Sequence, residues 1–223
     1  MKNKALFFFL LFLIIVAAGI ILLIFNLSGN KNAAGNINNV NNEATGQIND
    51  ETAVLSENVA LPPYNGEPIY ILGNDLAVIN ALPKEVVEKQ KSYLQELEIS
   101  LNENPNNFDG WIAAGLHKKF FNNYSGARDA WEYAKLVSPD SSLSYLNLAN
   151  LYGYYLNNLK KAEENYLLAI DRDPVNSYGS YYALANFYRD FGFKEKAINY
   201  YKQVLDFSPN DEAVKVEIGR LSH

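Results

Sequence analysis

The stretch Trp111–Pro139, WIAAGLHKKFFNNYSGARDAWEYAKLVSP, contains a set of landmark residues that returns twice further along the chain. In this first unit the landmarks are Trp111, Gly115, Ala127, Trp131, Ala134 and Pro139. Steps of about 35 residues lead first to Tyr145, Ala149, Ala162, Tyr166, Ala169 and Pro174, and then to Tyr181, Ala185, Ala197, Tyr201, Val204 and Pro209. A fixed period in the mid-thirties predicts helix-turn-helix units that stack into a solenoid.

The residue types at these landmarks are those that closely packed helix pairs require. Ala and Gly let two helix backbones approach each other, and an aromatic ring one turn away fills the remaining space. A Pro after the second helix cannot continue that helix and disfavours helical backbone in the residue before it. We therefore expect the landmark residues to pack in the core and not to form a functional site.

The landmarks resemble the tetratricopeptide repeat, whose first helix has an aromatic, Leu-Gly and Tyr, and whose second has Ala, an aromatic, Ala and Pro. In the first unit Ala114-Gly115 stands for Leu-Gly, and Lys118 stands where Tyr is usual. The resemblance implies an all-α solenoid with repeats at 108–141, 142–177 and 178–211. It also implies a concave groove, lined by the first helices, that binds an extended peptide or a partner's helix.

Segments on both sides of the repeats are predicted to close the ends of the solenoid. Residues 83–104 form an amphipathic helix that begins at Pro83 and resembles the second half of a degenerate repeat, and it acts as an N-terminal cap. An extended lead-in segment at 61–82, interrupted by Pro and Gly, is expected to lie against the first helices. Residues 212–223 form a C-terminal capping helix that covers the last repeat.

The N-terminal part of the chain predicts a membrane anchor. Ala5 to Phe25 contains no charged side chain, and a helix of this length crosses a hydrocarbon layer of roughly 30 Å. A cleaved signal peptide is the alternative, but its apolar region is typically only about 7–15 residues long. Lys2 and Lys4 precede the helix, which predicts cytoplasmic residues 1–4 and an extracytoplasmic repeat domain in a single-pass protein. The Asn-rich residues 26–60 are predicted to be a disordered linker.

Composition excludes several classes of function. The net charge of −6 argues against a nucleic-acid-binding protein, which would present a basic surface. The chain has no Cys and only two His, and it contains no phosphate-binding loop, metal motif or nucleophile paired with a base. We therefore predict no catalytic residue, no metal site and no cofactor, and we expect that the protein is not an enzyme.

Helical spacing away from the packing positions indicates which side chains face the groove. They are Ile112, Leu116 and Lys119 in the first repeat, Asn147, Asn150 and Tyr154 in the second, and Tyr182, Asn186 and Arg189 in the third. Asn150 and Asn186 are equivalent, and an amide that both donates and accepts suits the backbone of an extended peptide. The alternative is that both are solvated helix surface. We expect neither Asn to lie between helices, so that replacing both with Ala leaves folding almost unchanged.

Two functions agree with these observations. The first is a membrane-anchored module that binds a protein or extended peptide in its groove, as an envelope assembly factor or a chaperone-like adaptor. The alternative is a structural scaffold subunit, which forms a homo-oligomer or stacks within an envelope complex. The sequence does not identify the partner.

Overall fold

A computed structural model of the chain describes residues 61–223, and over these residues every regular element is an α-helix. The helices are α1 (Leu76–Ala81), α2 (Lys84–Glu103), α3 (Phe108–Phe120), α4 (Tyr124–Val137), α5 (Ser142–Tyr154), α6 (Leu159–Arg172), α7 (Tyr178–Asp190), α8 (Lys194–Phe207) and α9 (Glu212–Leu221). Within this range no helix is both long and apolar enough to cross a membrane. Residues 1–4, the predicted transmembrane helix at 5–25 and the predicted linker at 26–60 lie outside the described residues.

The helices from α3 to α8 form three antiparallel pairs that follow one another in a solenoid. The pairs are α3 with α4, α5 with α6 and α7 with α8, and the second helix of each pair also contacts the helix that follows it. Helix α2 packs on α3 at one end, and α9 packs on α8 at the other. Asn side chains begin several of these helices: Asn107, Asn123 and Asn158 each accept a hydrogen bond from a backbone N–H three residues further on.

Each pair contains a buried aromatic ring from its second helix, directed at the first helix. Trp131, Tyr166 and Tyr201 are fully buried in the three repeats. Trp131 donates its indole N–H to the carbonyl of Ile112 over 3.2 Å, and a Cβ on Gly115 would overlap the same indole ring. At the sequence positions equivalent to Gly115, the second and third repeats have Ala149 and Ala185, so the largest of the three rings occurs in the repeat that has the smallest residue there.

Residues 61–75, which we call the strap, lie against the first repeat in a largely non-helical conformation. Ile69 and Leu72 of the strap are buried in the same core as Trp111. The lead-in segment is extended only as far as Asp75, because Asp75 caps α1 by accepting hydrogen bonds from the backbone N–H groups of Ala77 and Val78. The expectation of an extended segment through residue 82 therefore does not hold for Leu76–Ala81.

His117 is largely buried on α3, with its ring 4.5 Å from the ring of Tyr93. Burial disfavours the charged imidazolium and lowers the pKa of His117 from 6.5 to about 4. Protons therefore bind more readily to the unfolded chain. We expect the free energy of unfolding to fall by up to about 3 kcal/mol as the pH drops from 7 to 4, beyond the loss from other groups. The stabilisation is complete above pH 6.5.

The measurement is chemical denaturation at several pH values, with His117→Gln as the control. The difference between the two proteins isolates the contribution of His117, because the carboxylates are common to both. Parallel pH profiles for the two proteins would show that His117 is protonated as easily in the folded chain as in the unfolded one.

Candidate binding face

The first helices of the three repeats present a surface that we call the first-helix face. Its exposed or half-buried members share one side of each helix, because they recur at intervals of three or four residues. They are Leu116, Lys119 and Phe120 on α3, Leu143, Asn147, Asn150 and Tyr154 on α5, and Tyr178, Tyr182, Asn186 and Arg189 on α7.

Contacts between repeats show that the three helices meet along this surface. The ammonium group of Lys119 on α3 lies 4.7 Å from the ring centre of Tyr155, which follows α5. The hydroxyl of Tyr154 donates to the carboxylate of Asp190 on α7 over 2.9 Å. The face is therefore continuous from the first repeat to the third.

Ile112 was predicted to face the groove, and this prediction is wrong. Its side chain is only 7% exposed and belongs to the core. The reason is the register of the first repeat: Ile112 follows the buried Trp111 directly, and its carbonyl accepts the indole N–H of Trp131. Ile112 is consequently inaccessible to a partner.

Asn150 and Asn186 hold the buried Tyr rings of their own repeats. The hydroxyl of Tyr166 donates to the side-chain oxygen of Asn150 over 2.9 Å, and that of Tyr201 donates to Asn186 over 2.6 Å. The amide nitrogen of Asn150 also donates to the carbonyl of Leu146 over 2.9 Å. The expectation that neither Asn takes part in packing between helices is wrong, since each accepts the only proton of a buried hydroxyl.

Replacement of Asn150 should therefore destabilise the fold. Asn150→Ala leaves the hydroxyl of Tyr166 buried without an acceptor, and we expect the free energy of unfolding to fall by about 1–3 kcal/mol. The double variant Asn150→Ala with Tyr166→Phe should recover much of that loss, because it removes both partners. Urea denaturation of the two single variants and the double variant measures the coupling. Additive effects would mean that the hydrogen bond contributes nothing to stability.

The guanidinium group of Arg189 forms ion pairs and hydrogen bonds with neighbouring side chains. Its guanidinium contacts the carboxylate of Asp190 at 2.8 Å, the hydroxyl of Tyr201 at 3.1 Å and the carboxylate of Glu217 on α9 at 3.5 Å. The hydrogen bond to Asp190 raises the pKa of Arg189, and burial raises that of Tyr201 to about 12. Arg220 also pairs with Glu217, over 2.7 Å, so two guanidinium groups balance the two carboxylates in a network that links α9 to the third repeat.

Tyr182, Leu116 and Asn147 complete the predicted set. Tyr182 stacks on Tyr178 with ring planes 8° apart, and Leu116 is exposed. The amide nitrogen of Asn147 is buried and, within the described residues, has no hydrogen-bond partner. The spacing argument missed Phe120, Leu143 and Tyr178, which are large and exposed. Their signal was present, since each is an apolar or aromatic residue outside the packing register of its helix.

The surface offers rings and hydroxyls. Of its two cations, Arg189 is paired with Asp190 and Glu217, and Lys119 lies over the ring of Tyr155. Among the described residues no group of His, Asp and Glu side chains could hold a metal ion. The arrangement suits contact with another macromolecule, because aromatic side chains contribute large contact areas at protein interfaces.

Comparison with known proteins identifies the repeats themselves. The model of the tetratricopeptide repeat family matches residues 143–176 and 178–211, which contain the α5–α6 and α7–α8 pairs. No curated protein matches the chain. The family consists of protein-interaction repeats, and the resemblance seen in the sequence is confirmed. Residues 143–176 and 178–211 of the chain are therefore tetratricopeptide repeats.

Proposed function

We propose that the chain is a membrane-anchored binding module that holds a protein partner on its first-helix face, outside the cytoplasm. The observation that carries this proposal is the row of apolar and aromatic side chains on α3, α5 and α7 that stay exposed in the folded repeats. This row includes one exposed side chain from each first helix: Leu116 on α3, Leu143 on α5 and Tyr178 on α7. Tyr178 is exposed although its hydroxyl donates to the carboxylate of Asp211, the N-cap of α9, over 2.7 Å. Interface cores are depleted in charge and enriched in aromatic residues, as this row is.

The charges of the face indicate which partner it favours. Arg189 is neutralised by Asp190 and Glu217, and the ammonium group of Lys119 lies over the ring of Tyr155. A strongly charged partner would have to displace these pairs. An extended peptide or an amphipathic helix with apolar and aromatic side chains needs no such displacement, and it buries the rings of the face.

A matched pair of triple variants tests the face. The first replaces Leu116, Leu143 and Tyr178 with Ala, and the control replaces Leu136, Leu167 and Phe207 of the second helices with Ala. All six side chains are between 37% and 52% exposed, so both changes remove comparable accessible surface. The partner is first captured by crosslinking in native membranes, identified by mass spectrometry, and then purified for titration.

We expect the first-helix variant to bind the purified partner about 100-fold more weakly, which corresponds to about 2.7 kcal/mol. The control should bind with unchanged affinity. If the control loses binding and the first-helix variant does not, the second helices form the interface. Sedimentation of the wild-type protein addresses the scaffold alternative, since a concentration-dependent oligomer blocked by the same three changes would make a second copy the partner.

The location of the repeat domain is tested separately. Lys2 and Lys4 before the apolar stretch are the basis for placing the repeats outside the cytoplasm. Protease added to intact spheroplasts should then digest the repeat domain. Its survival until the cells are lysed would contradict this orientation.

A further inference from the structure

The turns inside the three helix pairs lie side by side along one edge of the solenoid, which we call the turn edge. It consists of residues 119–125, 154–161 and 190–196, where each first helix ends and its second helix begins. Aromatic contacts join these turns. The ring centres of Tyr124 and Tyr155 are 4.9 Å apart, and those of Tyr154 and Phe191 are 5.5 Å apart. The turn edge is therefore one continuous surface across the three repeats.

Large aromatic rings remain exposed on the turn edge. Tyr155 and Phe193 belong to the turns themselves and are 41% and 43% exposed. Phe120 and Tyr154 are also exposed, at the line where the turn edge meets the first-helix face. Proteins that contact a bilayer place aromatic rings at the level of the lipid headgroups, where one end of the ring is apolar and the other is in water.

Basic side chains surround these rings. The turn edge contains five of them: Lys119, Lys160, Lys161, Lys194 and Lys196. Lys196 pairs with the carboxylate of Glu163 over 2.7 Å. In the part of the chain that the structure describes, Lys119, Lys161 and Lys194 form no ion pair. The side chain of Lys160 is 89% exposed, so most of this positive charge faces the solvent.

Few acidic side chains oppose this charge. Asp190 and Glu195 are the acidic residues of the turn edge. Asp75, at the end of the strap, lies beside it and accepts a hydrogen bond from Asn122 over 2.8 Å. The carboxylate of Asp190 is already paired with Arg189 over 2.8 Å. The turn edge therefore carries an excess of positive charge, although the whole chain has a net charge of −6.

The stability of the local helices does not explain these lysines. Lys160 and Lys161 lie in the first turn of α6, and Lys194 begins α8. The helix dipole favours acidic side chains at such positions and disfavours basic ones. The first turns of α3 and α9 follow this preference with Asp109 and Glu212, whereas that of α6 has no acidic residue. We therefore expect these lysines to interact with an anionic surface outside the domain.

The opposite edge of the solenoid has the opposite charge. It is formed by the segments that join one repeat to the next, at residues 103–109, 138–141, 171–178 and 206–212. These segments have one basic side chain, Arg172, and eight acidic ones: Glu103, Asp109, Asp140, Asp171, Asp173, Asp206, Asp211 and Glu212. An anionic surface attracts the turn edge and repels this one, so the charge distribution also determines how the domain is oriented.

We propose that the turn edge is a docking surface for an anionic lipid bilayer. The rings of Tyr155 and Phe193 lie at the level of the headgroups, and the lysines contact the lipid phosphates. The proposal rests on the membrane anchor of the proposed function, because a tethered domain meets the bilayer at a high effective concentration and needs only a weak contact. The ends of the helices form the turn edge and their sides form the first-helix face, so docking leaves that face open to a partner.

The test uses the full-length protein in vesicles of phosphatidylcholine, with and without added phosphatidylglycerol. The chain has no Cys, so a single introduced Cys can be labelled with the environment-sensitive dye NBD. One protein carries Ser125→Cys on the turn edge, and another carries Val175→Cys on the opposite edge. Both native side chains are exposed, so the dye is accommodated at either position.

Two matched charge variants are made in each labelled protein. The first replaces three lysines of the turn edge with Gln: Lys160, Lys161 and Lys194. The control also replaces three lysines with Gln, but these lie away from the turn edge on α4, α8 and α9: Lys135, Lys202 and Lys215. Both variants lower the net charge by the same amount, so only the position of the removed charge differs.

The emission of the dye at position 125 should shift to shorter wavelength when phosphatidylglycerol is present, while that of the dye at position 175 stays unchanged. The first charge variant should lower the ratio of docked to undocked protein by about 100-fold and abolish the shift, and the control should keep it. Equal responses at both positions, or a full response from the first variant, would overturn the proposal. A response without vesicles that grows with protein concentration would also overturn it, because a second copy would then cover the turn edge.

Carbonate extraction of the same vesicles tests the anchor separately. A chain that carbonate releases, but that still gives the lysine-dependent shift at position 125, would refute the anchor and support docking. A chain that resists carbonate and shows no shift at position 125 would refute docking and leave the anchor intact.

Discussion

Trp131→Ala should lower the free energy of unfolding by about 3–5 kcal/mol, the range found for large aromatic side chains removed from protein cores. Trp131 is fully buried and fills the crossing of α3 and α4, where its indole N–H donates to the Ile112 carbonyl over 3.2 Å. Truncation leaves a cavity that the backbone cannot close, because Gly115 opposite has no side chain with which to fill it. Urea denaturation followed by circular dichroism provides the measurement.

A pair of glycine variants is the control for this packing. Gly115→Ala introduces a methyl group into the space of the Trp131 ring, whereas a Cβ on Gly179 meets nothing within 4 Å. We expect Gly115→Ala to cost about 1–3 kcal/mol and Gly179→Ala to be neutral or stabilising, since Ala is the better helix former. A loss below about 1 kcal/mol for Trp131→Ala would contradict the register of the first repeat.

Glu67→Ala should be comparably destabilising, although Glu67 lies outside the repeats. Within residues 61–223, the change removes the only carboxylate that accepts a hydrogen bond from the fully buried Lys118. Breaking one partner of a buried ion pair costs about 3–5 kcal/mol, because the remaining charge is left uncompensated. Two backbone carbonyls continue to accept hydrogen bonds from the ammonium group, but they carry no net charge.

Two further variants show whether the loss of stability comes from the uncompensated charge of Lys118 or from the loss of the Glu67 side chain as such. Glu67→Leu combined with Lys118→Met removes both charges, and we expect a smaller loss than for Glu67→Ala alone. Glu132→Ala is the matched control, because Glu132 accepts from the neutral hydroxyl of Tyr152 and from the partly exposed ammonium group of Lys135, not from a fully buried one. Equal losses for Glu67→Ala and Glu132→Ala would show that Lys118 reaches water when its partner is removed.

The repeats could be predicted from the sequence because their packing depends on residue size at fixed intervals. Ala, an aromatic ring and Pro recur at spacings that only a stacked helix pair explains, and Trp131, Tyr166 and Tyr201 are all buried. The same regularity indicated one side of each first helix as a surface. Leu116 is exposed on that side, and its role in binding stays a prediction.

The details of the face depended on contacts that spacing does not specify. Asn150 has the periodicity of a surface residue, yet the hydroxyl of Tyr166 reaches it from the neighbouring helix. Ile112 is buried although it occupies a groove position by helical spacing. Lys118 occupies a position where the repeat pattern has Tyr. The structure explains this difference, because Lys118 donates hydrogen bonds to backbone carbonyls of the strap, which is distant from it in sequence. Such contacts follow from the tertiary arrangement and have no local signature.

The measurement that tests the proposed binding face most directly is site-specific photocrosslinking of the full-length protein in intact cells. A photoreactive amino acid is placed at Leu116 on α3 in one protein and at Leu136 on α4 in another, both of which are exposed positions. We expect a crosslinked partner from position 116 and none from position 136. Crosslinks from position 136 together with none from position 116 would contradict the assignment of the partner to the first-helix face.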